Sequence, residues 1–299
     1  METDLSDKTF VVTGATSGIG FAVASALSAR GAAVIGVGRS TERCRLAAHQ
    51  LRSLNPKSQV DYLSADLSIQ SEVRRLAGQI QTLLAARDKT ALDGLLNNAG
   101  TYAYWLTLTP DGVELQWAVN HLAPFLLTCQ LLPLLQAAPC ARVVTVSSAS
   151  HYGARINWSD PQLRRRYDGL QAYGNTKLAN VLFTQALNQR LGTASTVRAF
   201  AADPGLVKTD IALKGTPPIV NWFWKIRRSG GISPAETAVG IVFLLTEPGI
   251  QNSPACYWKH SHPRRPSRPA RDLASADRLW ALSEKMCGFH LEVNHDTVC

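Results

Sequence analysis

Thr9 to Thr13 (T-F-V-V-T) is a short apolar run. It is followed at once by Gly14-Ala15-Thr16-Ser17-Gly18-Ile19-Gly20 and then by an alanine-rich stretch. Strand, tight glycine turn and helix together open a βαβ unit. Glycines at 14, 18 and 20 let the backbone turn sharply and approach a pyrophosphate, which sits on the amides at the helix N-terminus. The spacing is G-x-x-x-G-x-G rather than G-x-G-x-x-G, so its meaning comes from the strand before it and the helix after it. Gly14, Thr16, Ser17, Gly18, Ile19 and Gly20 are therefore expected to hold the phosphates of a dinucleotide.

The alternation continues to the end of the chain. Strands are expected at Ala33 to Val37, Val60 to Ser64, Leu92 to Leu96, Arg142 to Ser147 and Val197 to Ala202, with a last one around Cys256 to Trp258. Helices are expected at Thr41 to Leu54, Ile69 to Ala86, Gly112 to Gln136, Gln171 to Leu191, Pro234 to Leu245 and Asp272 to Cys287. Strands alternating with helices predict an α/β fold, a single-domain Rossmann-type doubly wound parallel sheet of about seven strands with helices on both faces. No linker divides the 299 residues, so one dinucleotide-binding and catalytic domain spans 1–299.

The net charge of +9 would suit nucleic acid, membrane headgroups or anionic ligands. Much of it is local, in Arg164 to Arg166 and in the basic Pro-rich stretch 259–271, and both read as solvated surface. No nucleic-acid-binding module is visible, so a nucleic-acid partner is not expected. Six scattered cysteines show no metal-ligand spacing, so no metal is expected, and reduced thiols in a cytoplasmic protein are the simplest account. Leu122 to Ala141 is uncharged and long enough to cross a bilayer. It holds Pro124, Gln130, Pro133 and Gln136, which favours a helix buried in the core over a transmembrane span.

The second strand ends Gly36-Val37-Gly38-Arg39-Ser40. A carboxylate there would bind the ribose 2′-hydroxyl of NAD, whereas Arg39 and Ser40 can bind a 2′-phosphate. NADP(H) is therefore expected over NAD(H). Further on, Tyr173 and Lys177 stand four residues apart in a helical stretch and so share a face. A phenol titrates near ~10, and a neighbouring cation favours its ionised form, which suits acid–base catalysis.

With these pieces placed, the chain resembles the short-chain dehydrogenase/reductase family over nearly its whole length. It carries T-G-x-x-x-G-I-G at Thr13 to Gly20, Asp66-Leu67, Asn97-Asn98-Ala99-Gly100, Asn120, Ser147-Ser148, Tyr173-x-x-x-Lys177 and Asp203-Pro204-Gly205. Val119 to Leu122, Lys177 to Phe183, Arg278-Leu279-Trp280 and the insertion Ala149 to Ala172 are similar to its retinol-dehydrogenase-like branch. The resemblance implies an oxidoreductase that interconverts an alcohol and a carbonyl. Tyr173 would exchange the proton, and Lys177 would lower its pKa and bind the nicotinamide ribose. Ser148 would bind the substrate oxygen, and Asn120 would hold a water that joins Lys177 to solvent. From the residues alone Ser147 serves as well as Ser148. The resemblance also assigns Asp66 and Leu67 to the adenine and Asn97, Ala99 and Gly100 to the adenine ribose and central sheet. Pro204, Gly205, Val207 and Thr209 would meet the nicotinamide. An N-cap role competes for Asp66, and a structural role competes for the Asn97-Asn98 pair.

Substrate choice is expected to lie in Thr101 to Leu108, His151 to Ile156 and a substrate loop at 206–231. Trp222 and Trp224 in that loop read as an apolar lid, a packing or dimer contact, or a peripheral membrane contact. A lid would predict a hydrophobic alcohol or carbonyl. The acidic start Met1-Glu2-Thr3-Asp4 departs from the apolar anchor common in that branch and points to the cytoplasm. Ala255-Cys256-Tyr257 departs from the Gly-containing turn of relatives, so the last strand and pocket rim are expected to differ. The family's paired helix surfaces imply a homodimer or homotetramer. A non-catalytic NADPH sensor or scaffold remains the alternative; it would not require Asn120, Ser148, Tyr173 and Lys177 together.

Overall fold

The structure is a computed structural model that describes residues 4–207 and 232–291. Among the described residues seven strands and seven main helices alternate, and an eighth strand follows the last of the parallel ones. In chain order they are β1 (Thr9–Thr13), α1 (Gly18–Ala29), β2 (Ala33–Gly38), α2 (Thr41–Leu54), β3 (Val60–Ser64), α3 (Gln70–Ala85) and β4 (Gly94–Asn97). Then come α4 (Leu115–Gln136), β5 (Ala141–Val146), α5 (Gly169–Leu191), β6 (Val197–Asp203), α6 (Pro234–Thr246), β7 (Tyr257–Lys259), β8 (His262–Pro263) and α7 (Leu273–Cys287). The sheet order is β3-β2-β1-β4-β5-β6-β7-β8. Every pairing is parallel except β7 with β8.

Strand residues alternate between two cores, which is what a doubly covered sheet requires. Val11, Val143, Ala199 and Ala201 face a core shared with α3, α4, α5 and α7. Phe10, Val12, Val144, Phe200 and Ala202 face the opposite core, with α1, Leu51 of α2, and α6. Helix α4 is long and apolar enough to cross a membrane, and 78% of its most apolar window is buried within the protein. Its apolar surface is spent on the sheet and on α3. Within it, Ala118–Leu122 forms a π-turn, a local widening of the ladder often found at functional positions.

The helix starts follow ordinary capping chemistry. Ser40 caps α2, Glu114 caps α4, Asp168 caps α5, Ser233 and Glu236 form a capping box on α6, and Asp272 caps α7. Asp111 accepts from the first amide of α3 at 2.7 Å. Helix α1 differs: the Ser17 side chain accepts nothing, and the first turn carries no acidic residue.

The expected elements are met to within a few residues at each end. The difference is β8, a two-residue antiparallel strand beyond β7. It makes eight strands where seven were expected. Positive φ at His260 (50°) turns the chain back there, and a Pro at its end suits an edge that no further strand extends.

Candidate active site

The expected residues gather at the carboxyl ends of β1, β4, β5 and β6, where an open α/β sheet binds its ligands. The glycine turn is shaped by its backbone. Gly14 (φ +66°) and Gly18 (φ +56°) occupy the left-handed region. A Cβ at Gly14 would stand 2.9 Å from Asn98 Nδ2, and one at Gly20 would overlap the Gly14 carbonyl oxygen.

Thr13 stitches this turn to the one after β4. Its hydroxyl accepts from the amides of Asn98 and Ala99, both at 3.0 Å, and donates to the Leu96 carbonyl at 3.2 Å. The Asn98 side chain donates to the Thr13 carbonyl at 2.9 Å. Asn97 is buried and donates to Thr128 (3.0 Å) and Thr145 (3.4 Å). Both side-chain NH2 groups are thus bonded within the protein, while the buried Asn97 Oδ1 has no partner. Asp66 is not the N-cap of α3. Its carboxylate closes a local turn by accepting from the Ser68 amide at 3.0 Å and hydroxyl at 2.7 Å. Leu67 packs against the core, Arg39 and Ser40 are exposed, and Ser40 also accepts from the Arg43 amide.

The end of β5 and helix α5 hold the second group. The Lys177 ammonium is 5.4 Å from the centre of the Tyr173 ring and donates to the Val146 carbonyl at 3.0 Å. Asn180 donates to the same carbonyl at 3.0 Å. Ser147 is buried, and its hydroxyl donates to the Lys177 backbone carbonyl at 2.8 Å. Ser148 is partly exposed and bonded only locally, to the amide and hydroxyl of Ser150, each at 3.2 Å. The two serines, equivalent in the sequence, therefore face different surroundings: Ser147 ties α5 to the sheet, and Ser148 presents its hydroxyl at the rim. Gly174, between Tyr173 and Asn175, lets α5 lie close to this turn, since a Cβ there would be 3.2 Å from the Ser150 carbonyl oxygen.

Asn120 sits in the π-turn of α4 and is fully engaged. Its amide donates to the Thr101 carbonyl (2.9 Å) and to Thr176 (3.2 Å), and its oxygen accepts from the Thr101 amide (2.7 Å). Thr176 passes the link on by donating to the Tyr173 carbonyl at 2.8 Å. The side chain expected to hold a water is thus a clamp. A water there has only the second lone pair of its oxygen, or the main chain, to bind.

Burial controls the charges. Lys177 is 3% exposed, and loss of hydration pushes its ammonium down to about 8. Burial, followed by the Asp203 carboxylate, pushes the Tyr173 phenol up to about 12. Among protein groups alone, the expected lowering of Tyr173 by Lys177 is outweighed. The reason is that desolvation penalises both ions and Asp203 adds a like charge.

On the far side, Gly205 (φ +74°) donates its amide to Asp203 Oδ1 at 2.9 Å. Val207 bridges to Ile232. Thr209, Trp222 and Trp224 lie outside the described residues.

Three neighbours were given no individual role in the sequence reading, although Tyr102 and His151 lie in segments expected to choose the substrate. The Tyr102 ring meets Tyr173 edge-on, with centres 6.2 Å apart. Tyr62 of β3 crosses Gly36 of β2, where a Cβ would stand 2.5 Å from the ring, and donates to the Ala15 carbonyl in the glycine turn at 2.9 Å. A glycine inside a strand was the available signal for that close approach. His151 is buried with its Nδ1 2.8 Å from the Ser148 carbonyl oxygen, and no local pattern marks it. A separate cavity of about 680 Å³ runs along the outer edge of β3 between Thr41, Arg52 and Arg75. Its arginines are already bonded: Arg45 to Glu42, Arg52 to the Val60 carbonyl, Arg75 to Glu72.

Known proteins agree with this geometry. The family model for short chain dehydrogenase matches residues 8–217. Dehydrogenase/reductase SDR family member 13 of Bos taurus is 36% identical over 292 residues, covering 95% of this chain and 74% of that protein. Retinol dehydrogenase 12 of Homo sapiens is 35% identical over 294 residues, covering 96% and 89%. Among solved structures, an uncharacterised protein from Mycobacterium Paratuberculosis superposes with a TM-score of 0.72 at 35% identity, covering 96% of each chain. The angucycline C-6 ketoreductase LanV with bound NADP gives 0.67 at 25%, covering 86% of this chain and 95% of that one. A family whose pattern spans the glycine turn, the serine pair and the tyrosine helix binds NAD(P) and oxidises or reduces at carbon–oxygen bonds. The chain therefore belongs to the short-chain dehydrogenase/reductase family, in its retinol-dehydrogenase-like branch, and is an oxidoreductase acting on CH–OH groups.

Proposed function

We propose that this enzyme interconverts a hydrophobic alcohol and its ketone or aldehyde with NADP(H), using Tyr173 as the acid–base group. The observation that carries the reading is the packing of Lys177 over the Tyr173 ring at the end of β5, beside the accessible Ser148 hydroxyl.

The residues fit a dinucleotide. The glycine turn has no room for side chains at Gly14 or Gly20, and α1 begins without a side-chain cap or an acid that would repel phosphate. Arg39 and Ser40 at the end of β2 would take the 2′-phosphate, with Asp66, Leu67, Ala99 and Gly100 near the adenosine and Pro204, Gly205, Val207 and Thr209 near the nicotinamide. When bound, the nicotinamide carries the hydride.

In reduction, the Tyr173 hydroxyl donates its proton to the oxygen of the carbonyl as the hydride reaches the carbon. Ser148 donates a hydrogen bond to that oxygen and spreads its developing charge. In oxidation, Tyr173 must first lose its proton and then takes that of the alcohol. Because the phenol lies high, the protonated form needed for reduction dominates at neutral pH, and oxidation should speed up as pH rises. Lys177 supplies the adjacent positive charge and would bond to the cofactor ribose. Asn120 holds the 101–108 loop in register with Tyr173 through Thr176. Exposed Trp105, Leu106 and Leu108 after β4 and exposed Leu206 after β6 support an apolar substrate. The burial of α4 supports a cytoplasmic enzyme, which fractionation of expressing cells checks. NADPH consumption with a panel of aliphatic, aromatic, retinoid and steroid carbonyls tests the reading, with NADH as the control. Turnover that prefers NADH, or that survives Tyr173→Phe, would overturn it. Acid–base catalysis contributes roughly 10²- to 10⁴-fold, and the Tyr173→Phe loss should fall in that range.

A further inference from the structure

The basic Pro-rich stretch 259–271 is more than a solvated surface. Arg264, Arg265, Arg268 and Arg271 are exposed, yet Ser267 (5%) and Ala270 (0%) are buried. Gln185 of α5 donates to the Ala270 carbonyl. Tyr152 donates to the Arg265 carbonyl at 2.8 Å. The Ser267 amide donates to His151 Nε2 at 3.1 Å.

His151 is the junction. Its ring is wholly buried, with its centre 4.2 Å from that of Tyr152 and 4.7 Å from that of Tyr257. Nε2 faces a backbone N–H, which can only donate, and Nδ1 faces the Ser148 carbonyl, which can only accept. The ring is therefore neutral, with its proton on Nδ1, and burial holds its pKa below the usual histidine range. Tyr257 extends the network by donating to Asp203 Oδ2 at 2.9 Å, while Asp203 Oδ1 accepts from Gly205. Hydrogen bonds and the ring contact of His151 with Tyr257 together thus join the serine turn, the loop after β6 and the Pro-rich stretch.

We infer that His151 is a positioning residue for Ser148: it holds the serine's carbonyl and is itself held by the backbone of 259–271. This rests on the reading of Ser148 as the group that binds the substrate oxygen. His151→Phe keeps a ring but can neither donate nor accept, whereas His151→Gln keeps one donor and one acceptor. Small misplacements of a reacting group can cost about 10²-fold, so His151→Phe should lower kcat roughly 10- to 100-fold. NADPH affinity should stay within about twofold, and His151→Gln should restore kcat to within about threefold of wild type. Wild-type kcat in His151→Phe would overturn the inference. So would a glutamine variant as impaired as the phenylalanine one, or a rise in NADPH Kd that matches the loss in kcat. Ser148→Ala separates the two readings: if it retains full activity, the role of Ser148 falls, whereas if it is inactive while His151→Phe is not, only His151 is wrong. Nitrogen NMR of histidine-labelled wild-type protein needs no variant. The His151 ring should be protonated at Nδ1 and stay neutral as pH falls through the usual histidine range, and an Nε2–H tautomer or ordinary titration at His151 would overturn the geometry.

Discussion

The two halves of the site are built differently. The cofactor half, from β1 to the turn after β4, is shaped by backbone. Gly14 and Gly20 have no room for side chains, and the Thr13 hydroxyl ties the end of β1 to the turn after β4. The substrate half, from the end of β5 onward, is shaped by side chains that meet from distant parts of the chain. His151 and Ser267 are 116 residues apart, and Tyr152 and Arg265 are 113 apart. The comparison teaches that a tight glycine turn can be specified by a short run of sequence, whereas the surroundings of Ser148 depend on the path of the whole chain.

Four measurements would break or sharpen that contrast. The largest effect concerns Lys177, the most heavily desolvated charge of the substrate half. Its folded pKa of about 8 lies below the unfolded value of 10.5. The cost of burying the ammonium is therefore fully present below pH 8 and is relieved as pH rises to 10.5, where the unfolded chain loses the same proton. Wild type should gain on the order of 3 kcal/mol relative to Lys177→Met across that window, read from urea midpoints. Above pH 10 the raised Tyr173 phenol works in the opposite direction, so the comparison with the variant is essential. A flat difference between the two proteins would mean that Lys177 is better solvated than its burial implies.

Next is the cradle itself. Gly20→Ala forces a methyl onto the Gly14 carbonyl. Overpacking of this kind costs about 1–3 kcal/mol, so NADPH Kd should rise roughly 10- to 100-fold. An unchanged Kd would show that the turn is softer than the backbone argument requires.

Arg39→Ala should weaken NADPH about tenfold and leave NADH unaffected, as expected for loss of a charge-assisted bond to phosphate. Equal losses for both cofactors would remove Arg39 from the 2′-phosphate. The smallest effect is that of Tyr62→Phe, which leaves the Ala15 carbonyl without its donor. A lost hydrogen bond is worth about 1 kcal/mol, so calorimetry should show NADPH binding weaker by roughly three- to sixfold. No change would confine the cradle's support to its own turn.

The fold was largely legible because its signals are local. Among the described residues, the alternation of apolar runs with helical patterns placed seven of the eight strands and all seven main helices within a few residues of where they lie. The glycine turn carried its own confirmation in the strand before it and the helix after it. The eighth strand was hidden because two residues around a Pro carry no periodicity. The chemistry-bearing side chains were readable through motif and resemblance, and several of their surroundings were not. Asn120, named for a water, also clamps Thr101 and Thr176. Ser147 and Ser148 looked alike and differ in burial. Tyr173 sits high rather than low because desolvation is set by what packs around the ring.

By itself, then, the sequence determined the layered α/β architecture, the glycine turn and the Tyr173–Lys177 face, since each is written in residues within one turn or one strand of each other. The tertiary structure alone decided which serine is free, which way the charges shift and what stands behind His151. Those outcomes depend on burial and on contacts between residues far apart in the chain, and neither quantity exists until the sheet has assembled and its loops have met.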